Sequence, residues 1–263
     1  MFKRFSLFPL LLLASLGFLV AYYLLLMGYT YTRYRPSSLL VLLQTPAVGH
    51  AIMLSLVCAT LATILALIFA IPASYILSRK QFPGKMLVDT LLDIPVFVSP
   101  VALGALLIIL FSSPVGRNFQ THLFPIVFAL PGIVVAQFTI IVGLAVRLLK
   151  STYDQIPSRY EEVSRTLGCS SFKSFFKVTL PLAKNGLIGA GIVSWARAVG
   201  EFGATITLVG AAAGKTETIP TAVYLSFASA DIDRALTMVA LLILTALSGL
   251  LILRLVSGKE LIF

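Results

Sequence analysis

The chain has 263 residues, 59% of them hydrophobic and only 11% charged, with a mean hydropathy of +1.00. Soluble domains carry roughly 25% charged residues, which excludes a water-soluble domain with an oversized core. The net charge of +10 would suit a nucleic-acid partner in a soluble protein, so where the charges lie has to decide that point.

Uncharged stretches run over 5–32, 36–78, 94–116, 118–146 and 235–253, and a sixth, 185–214, is broken only by Arg197 and Glu201. A helix needs about 20 apolar residues to cross the hydrocarbon core. Trimmed at prolines, glycines and polar clusters, the stretches predict spans near 7–27, 51–78, 94–112, 123–146, 187–209 and 235–253. The expected class is an all-α integral membrane protein with six transmembrane helices. The first apolar run is longer than the roughly 7–15 residues of a signal-peptide core and no A-x-A-like cleavage site follows it, so it is read as a retained helix.

Basic residues gather on inner loops of membrane proteins. With the N-terminus inside, only Arg33, Arg35, Arg117, Lys215 and Arg234 of the 20 Lys and Arg lie on outer segments, and Arg197 lies within the fifth span. Both termini are therefore expected in the cytoplasm, and the positive charge reflects topology and not nucleic acid. The expected organisation is an N-terminal helix with its outer loop (1–50), a transmembrane domain (51–253) with a cytoplasmic loop (151–182), and a cytoplasmic tail (254–263).

That loop contains a polar island, EEVSRTLGCSSFKSFFKVTLPL, at 161–182. Val163 and Leu167, four apart, share one face of a helical turn. Gly168 offers a left-handed stop and Ser170 or Ser171 a cap for a second short helix. Phe172, Phe175 and Phe176 are expected on one side of it, Lys173 and Lys177 on the other, and Pro181 closes it. Such an amphipathic helix-turn-helix suits a lipid headgroup layer and a docking surface equally.

The fifth span reads GLIGAGIVSWARAVGEFGATITLVG. Arg197 and Glu201 are one turn apart and are expected to pair on one helix face. A charge at this depth is costly, so the pair either fixes helix packing or lends positive potential to an anion pathway. Ser194, Thr205 and Thr207 add hydroxyls, and Gly200 and Gly203 permit close helix approach. Other motifs carry little. GAAAGKT at 210–216 has three residues between its glycines where a phosphate-binding loop needs four. Ser248 suggests an intramembrane serine protease, but His50 and His122 lie toward the opposite ends of their spans, and a bond to its own helix backbone is the simpler role. Cys58 and Cys169 are too few for a disulfide framework, and with two histidines no cluster has metal-ligand spacing.

The island's spacing carries a resemblance. Glu162 precedes Gly168 by six residues, Val178 follows by ten, and Leu180-Pro181 completes the set. This resembles the EAA loop of ABC-importer permeases, which reads E-A-A, three residues, G, nine residues, I-x-L-P. Val163 and Ser164 stand where alanines are usual and Val178 where isoleucine is. The resemblance covers about residues 51–253 and implies the type I importer permease fold, with a coupling helix that inserts into a cleft on a separate ATPase. Glu162, Val163, Arg165, Leu167, Gly168, Leu180 and Pro181 would form the coupling segment. The stretches WARAVGEFGATITLVG and GKTETIPTAVYLSFASADID, with the proline-rich DIPVFVSPVALGALL, look like the molybdate and tungstate permeases. Sulfate and thiosulfate permeases, with a similar RA-x-GE-[FY]-G segment, are the alternative. What this implies is a non-catalytic chain with no cofactor of its own, ATP and Mg residing on the ATPase. The anion pathway would involve Arg197, Glu201, Ser194 and Thr205. Partners would be a second copy of the chain, two cytoplasmic ATPase subunits and an extracytoplasmic oxyanion-binding protein, all at the cytoplasmic membrane.

Overall fold

The computed structural model describes residues 7–33 and 44–257. The basic residues Lys3, Arg4, Arg35 and Lys259, used above for orientation, lie outside the described residues, as do 258–263 of the proposed tail.

Among the described residues the fold is all-helical. Helix α1 covers Leu7–Arg33 and α2 covers Pro46–Arg79. A bent pair follows, α3 (Lys85–Phe97) and α4 (Pro100–Ser112), then the short α5 (Pro114–His122) and the long α6 (Leu130–Asp154). The polar island forms α7 (Arg159–Thr166) and α8 (Ser171–Ser174), a π turn (Phe175–Thr179) and α9 (Leu180–Leu182). The chain ends with α10 (Lys184–Val199), α11 (Gly203–Val209), α12 (Ile219–Ala228) and α13 (Ile232–Ser257).

The core is organised by α2 and α6, the most extensively packed pair. Along α2 the residues Ala51, Ser55, Ala59, Ala62, Ala66, Ala70 and Ser74 recur every three or four positions and are fully buried. That stripe of small side chains lets the α6 backbone approach closely, which matters where lipid on the far side is as apolar as the helix itself. Larger residues of α2, among them Met53, Ile64, Ile68 and Phe69, face outward. In water such a surface would be an aggregation liability. In a bilayer it is the contact with the solvent.

The predicted spans need three corrections. Residues 94–112 are not one helix: α3 and α4 meet at 112°. Pro100 opens α4, and a proline pushes the residue before it out of helical conformation; Ser99 accordingly has ψ 134°. Residues 187–209 are also broken, with α10 and α11 bent by 54° around Gly200–Phe202. The fourth span starts at Leu130, not 123, and runs on to Asp154. Residues 123–129 are apolar but non-helical, held by the Gln120 carboxamide oxygen, which accepts from the amides of Ile126 and Val127 at 2.9 and 3.0 Å. Uncharged composition marks depth in a membrane but says nothing about where a helix bends.

By length and composition, α2, α6 and Ile232–Gly249 of α13 can each cross a membrane, and the two bent pairs can do so if each is one span. Helix α1 is 27 residues long, with its apolar stretch at Leu11–Leu26.

Candidate functional site

The residues singled out in the sequence gather at two polar places: the island between α6 and α10, and the break between α10 and α11.

In the island, α7 ends as its sequence demands. Gly168 has φ +88°, its amide donates to Arg165 O, and the Cys169 amide donates to Ser164 O, both at 3.0 Å. This pair of bonds is a Schellman stop, and the left-handed residue is glycine because any other side chain would be strained there. Ser170 then caps α8, its hydroxyl accepting from the Lys173 amide at 3.3 Å.

The two arms close on a buried carboxylate that sequence reading passed over. Glu161, not Glu162, points inward. Its oxygens accept from Tyr75 Oη at 2.7 Å, Arg79 Nε at 2.9 Å and Thr179 Oγ1 at 2.8 Å. Tyr75 and Arg79 belong to the end of α2 and Thr179 to the π turn. Burial works against charge on Glu161, but these hydrogen bonds and the Arg79 charge hold its pKa below the ordinary carboxylate value. Arg79 also donates to Ile156 O at 2.8 Å, and a second tie joins the arms, Ser164 Oγ to Ser174 Oγ at 2.6 Å.

The expected coupling residues fall around this anchor. Glu162 and Arg165 are exposed; Glu162 accepts from Ser158 Oγ at 3.2 Å. Val163 is half-exposed, and Leu167 at 80% and Phe172 at 72% stand almost free. Leu180 is partly buried and Pro181 exposed. The expected grouping of Phe172, Phe175 and Phe176 is corrected. Phe172 and Phe176 are exposed, their ring centroids 4.6 Å apart, while Phe175 turns inward onto Tyr75, also at 4.6 Å. Phe175 still meets Phe176 edge-on at 5.1 Å, but the π turn that begins at Phe175 shifts the helical phase and turns its ring toward the core.

At the break, Arg197 Nη1 and Glu201 Oε2 are 2.6 Å apart. The pair forms, but not on one continuous helix face. Arg197 sits in the last turn of α10, whereas Glu201 lies in the gap, where its Oε1 accepts from the Ala204 amide of α11 at 3.0 Å. Ser194 and Thr205 are fully buried, and neither hydroxyl has a hydrogen-bond partner. Gln137 of α6 donates to Ala198 O at 3.1 Å, leaving its own oxygen unpaired. Of the four expected pathway residues, Arg197 alone reaches the surface of the single chain, with 39% of its side chain exposed. Thr207 donates to Gly203 O within α11.

The discounted motifs resolve simply. Ser248 donates to Thr245 O of its own helix at 2.8 Å. In the 210–216 loop the amides of Lys215, Thr216 and Glu217 all converge on Ala212 O, so they are not free to cradle a phosphate. Beyond it lies a charge pair that the sequence did not suggest: Glu217, almost fully buried, accepts from Arg234 at 2.9 Å.

In sequence the chain is similar to a probable molybdenum ABC transporter permease of Haloferax volcanii, 35% identical over 90% of this chain and 86% of that one. It is 37% identical to the molybdenum transport system permease of Escherichia coli K12 over 66% of this chain and 78% of that one. It is also 33% identical to the E. coli K12 sulfate transport system permease, over 89% and 83%. In fold it is similar to a chain of a bacterial ABC transporter that imports the acidic polysaccharide alginate, with a TM-score of 0.75 and 18% identity over 97% of this chain and 96% of that one. Residues 62–258 match the binding-protein-dependent transport system inner membrane component family, and the chain belongs to that family of non-catalytic ABC-importer membrane subunits.

Proposed function

We propose that this chain is the permease of an ATP-driven importer of a tetrahedral oxyanion, molybdate or tungstate. Residues 51–253 form its transmembrane unit and the island is its ATPase-docking segment. The observation that carries this reading is the inverted island: polar Glu161, Ser164 and Thr179 are buried, while Val163, Leu167, Phe172 and Phe176 are exposed. A loop that only rested in the interface would need no hydrogen-bonded interior. Held rigid and apolar outside, it suits insertion into a cleft on a soluble ATPase, with Glu162 and Arg165 orienting the contact. That ATPase binds and hydrolyses ATP with Mg. The loop and both termini lie in the cytoplasm. Two copies of the chain share one path, to which Arg197 presents its charge with Glu201, Ser194 and Thr205 behind it, and an extracytoplasmic binding protein delivers the anion.

The names of the molybdenum permease relatives support the metal oxyanion. Sulfate is the second reading, supported by a sulfate permease relative of comparable identity and coverage. The test is reconstitution in proteoliposomes with the cognate ATPase and binding protein, with molybdate, tungstate and sulfate competing for uptake. Preference for molybdate or tungstate is expected. Uptake displaced by sulfate alone would favour the second reading, and failure of any ATPase to associate would overturn both.

A further inference from the structure

The two adjacent glutamates of the island have opposite surroundings. Glu162 is exposed and meets one serine hydroxyl. Glu161 is buried and gathers three donors from two elements distant in sequence. The donors are placed so that one carboxylate joins every part of the loop. Tyr75 and Arg79 bring in the end of α2, Arg79 through Ile156 O brings in the strap leaving α6, and Thr179 brings in the second arm. Phe175, against Tyr75 and Tyr153, fills the space beneath.

We propose that Glu161 is the positioning residue that makes the loop and α2 one lever, so that a push on the exposed face moves α2 and is not spent bending the loop. The inference rests on the docking reading above and assigns a role to a residue outside the docking face. The alternative path for a push, along α9 into α10, meets the bend at Gly200–Phe202 before it reaches the far half of that helix. Helix α2 stays one continuous helix over its 34 residues, although Pro72 removes one backbone hydrogen bond a turn before Tyr75, and it packs on α6 more extensively than on any other helix. A rigid joint at Glu161 therefore delivers displacement to an unbroken element.

The test uses the complete transporter in proteoliposomes, reading ATPase co-purification, ATP hydrolysis and oxyanion transported per ATP. Three variants are compared: Glu161→Gln, which keeps the shape but loses the charge; Tyr75→Phe, which removes one donor but keeps the ring against Phe175; and Glu162→Lys on the exposed face. In Glu161→Gln the ATPase is expected to remain bound and active while transport per ATP falls about tenfold, the scale of one lost charge-assisted hydrogen bond. Tyr75→Phe should show a smaller loss of the same kind, and it answers the question if Glu161→Gln does not fold. Glu162→Lys should instead weaken co-purification. Unchanged transport per ATP in both Glu161→Gln and Tyr75→Phe overturns the lever and leaves docking intact. Loss of ATPase binding in Tyr75→Phe also overturns it, because the joint would then be shaping the contact. If no ATPase accompanies the wild-type chain, docking itself fails, and that is seen before any variant is measured.

Discussion

The ion pair at the α10–α11 break is asymmetric, and the asymmetry predicts which half is dispensable. Glu201 is 1% exposed and holds two hydrogen bonds, from Arg197 at 2.6 Å and the Ala204 amide at 3.0 Å, while the Arg197 side chain is 39% exposed. Arg197→Ala leaves a buried carboxylate with a single neutral donor. Removing one member of a buried pair costs about 3–5 kcal/mol, and the opening of Arg197 onto the proposed path, which would hold water, weakens this pair and places the expectation at ~2–3 kcal/mol. Glu201→Ala leaves Arg197 facing the proposed path between the two copies, where water in the path would solvate it, and removes one hydrogen bond from the first turn of α11, a loss of about 1 kcal/mol. The double variant should therefore be nearly as stable as Glu201→Ala and more stable than Arg197→Ala.

Thermal unfolding of the detergent-purified chain measures all three, with oxyanion uptake into vesicles alongside. If Arg197→Ala proves no worse than Glu201→Ala, or if the two losses simply add in the double variant, the argument from burial is wrong. Uptake separates the remaining roles. Recovery together with stability in the double variant means that the pair serves packing alone. Restored stability with uptake still lost means that the anion itself needs the guanidinium.

Other consequences are simpler. Gly168→Ala meets open space, so its cost is the left-handed backbone alone, about 1–2 kcal/mol; hydrogen exchange at residues 164–170 should quicken while the spans stay protected. Gly203→Ala would put a Cβ 2.9 Å from Pro100 Cβ and 3.0 Å from Val101 N, forcing α4 and α11 apart at about 1–3 kcal/mol, whereas Gly49→Ala touches nothing and should be neutral or mildly stabilising by thermal unfolding. Glu161 has a depressed pKa, so its contribution is complete above its ordinary value of 4.5 and is lost as pH falls through its own lower value. Exchange protection over 158–182 should accordingly hold from neutral pH down through the ordinary carboxylate range and weaken only at more acid pH, and Glu161→Gln should flatten that profile.

Much of this was legible in the sequence, for identifiable reasons. Charge depletion marks membrane-depth segments whatever their conformation, so the apolar stretches were found, although three of their boundaries or continuities were not. The bend at Ser99 did leave a signal in Pro100, since the residue before a proline resists the helix. The break at Gly200–Phe202 left a weaker one, because Gly200 and Gly203 fit close packing as readily as a kink. Gly168 and a serine cap at 170 or 171 could be placed because stop and cap chemistry is local, and the structure selects Ser170. The Glu217–Arg234 pair joins residues 17 apart, across α12, and no local pattern points to it.

Glu161 was missed for a different reason, and the reason bears on function. Amphipathic reading assumes that apolar residues face the protein and polar ones face water. In α7 the phase is reversed: Tyr160, Val163 and Leu167 lie outside, while Glu161 and Ser164 lie inside. A folded segment keeps such an arrangement only if the interior polar groups are fully paired, as Glu161 and Ser164 are, and the cost of exposing the apolar ones is recovered elsewhere. Lipid could take up Val163 and Leu167, but it gives no reason to cross-tie two helical arms on a carboxylate and a pair of serines. A protein cleft does, because a loop that bends under load transmits nothing. The reversal that defeats pattern reading in α7 is therefore the strongest physical argument that this face is built for a partner.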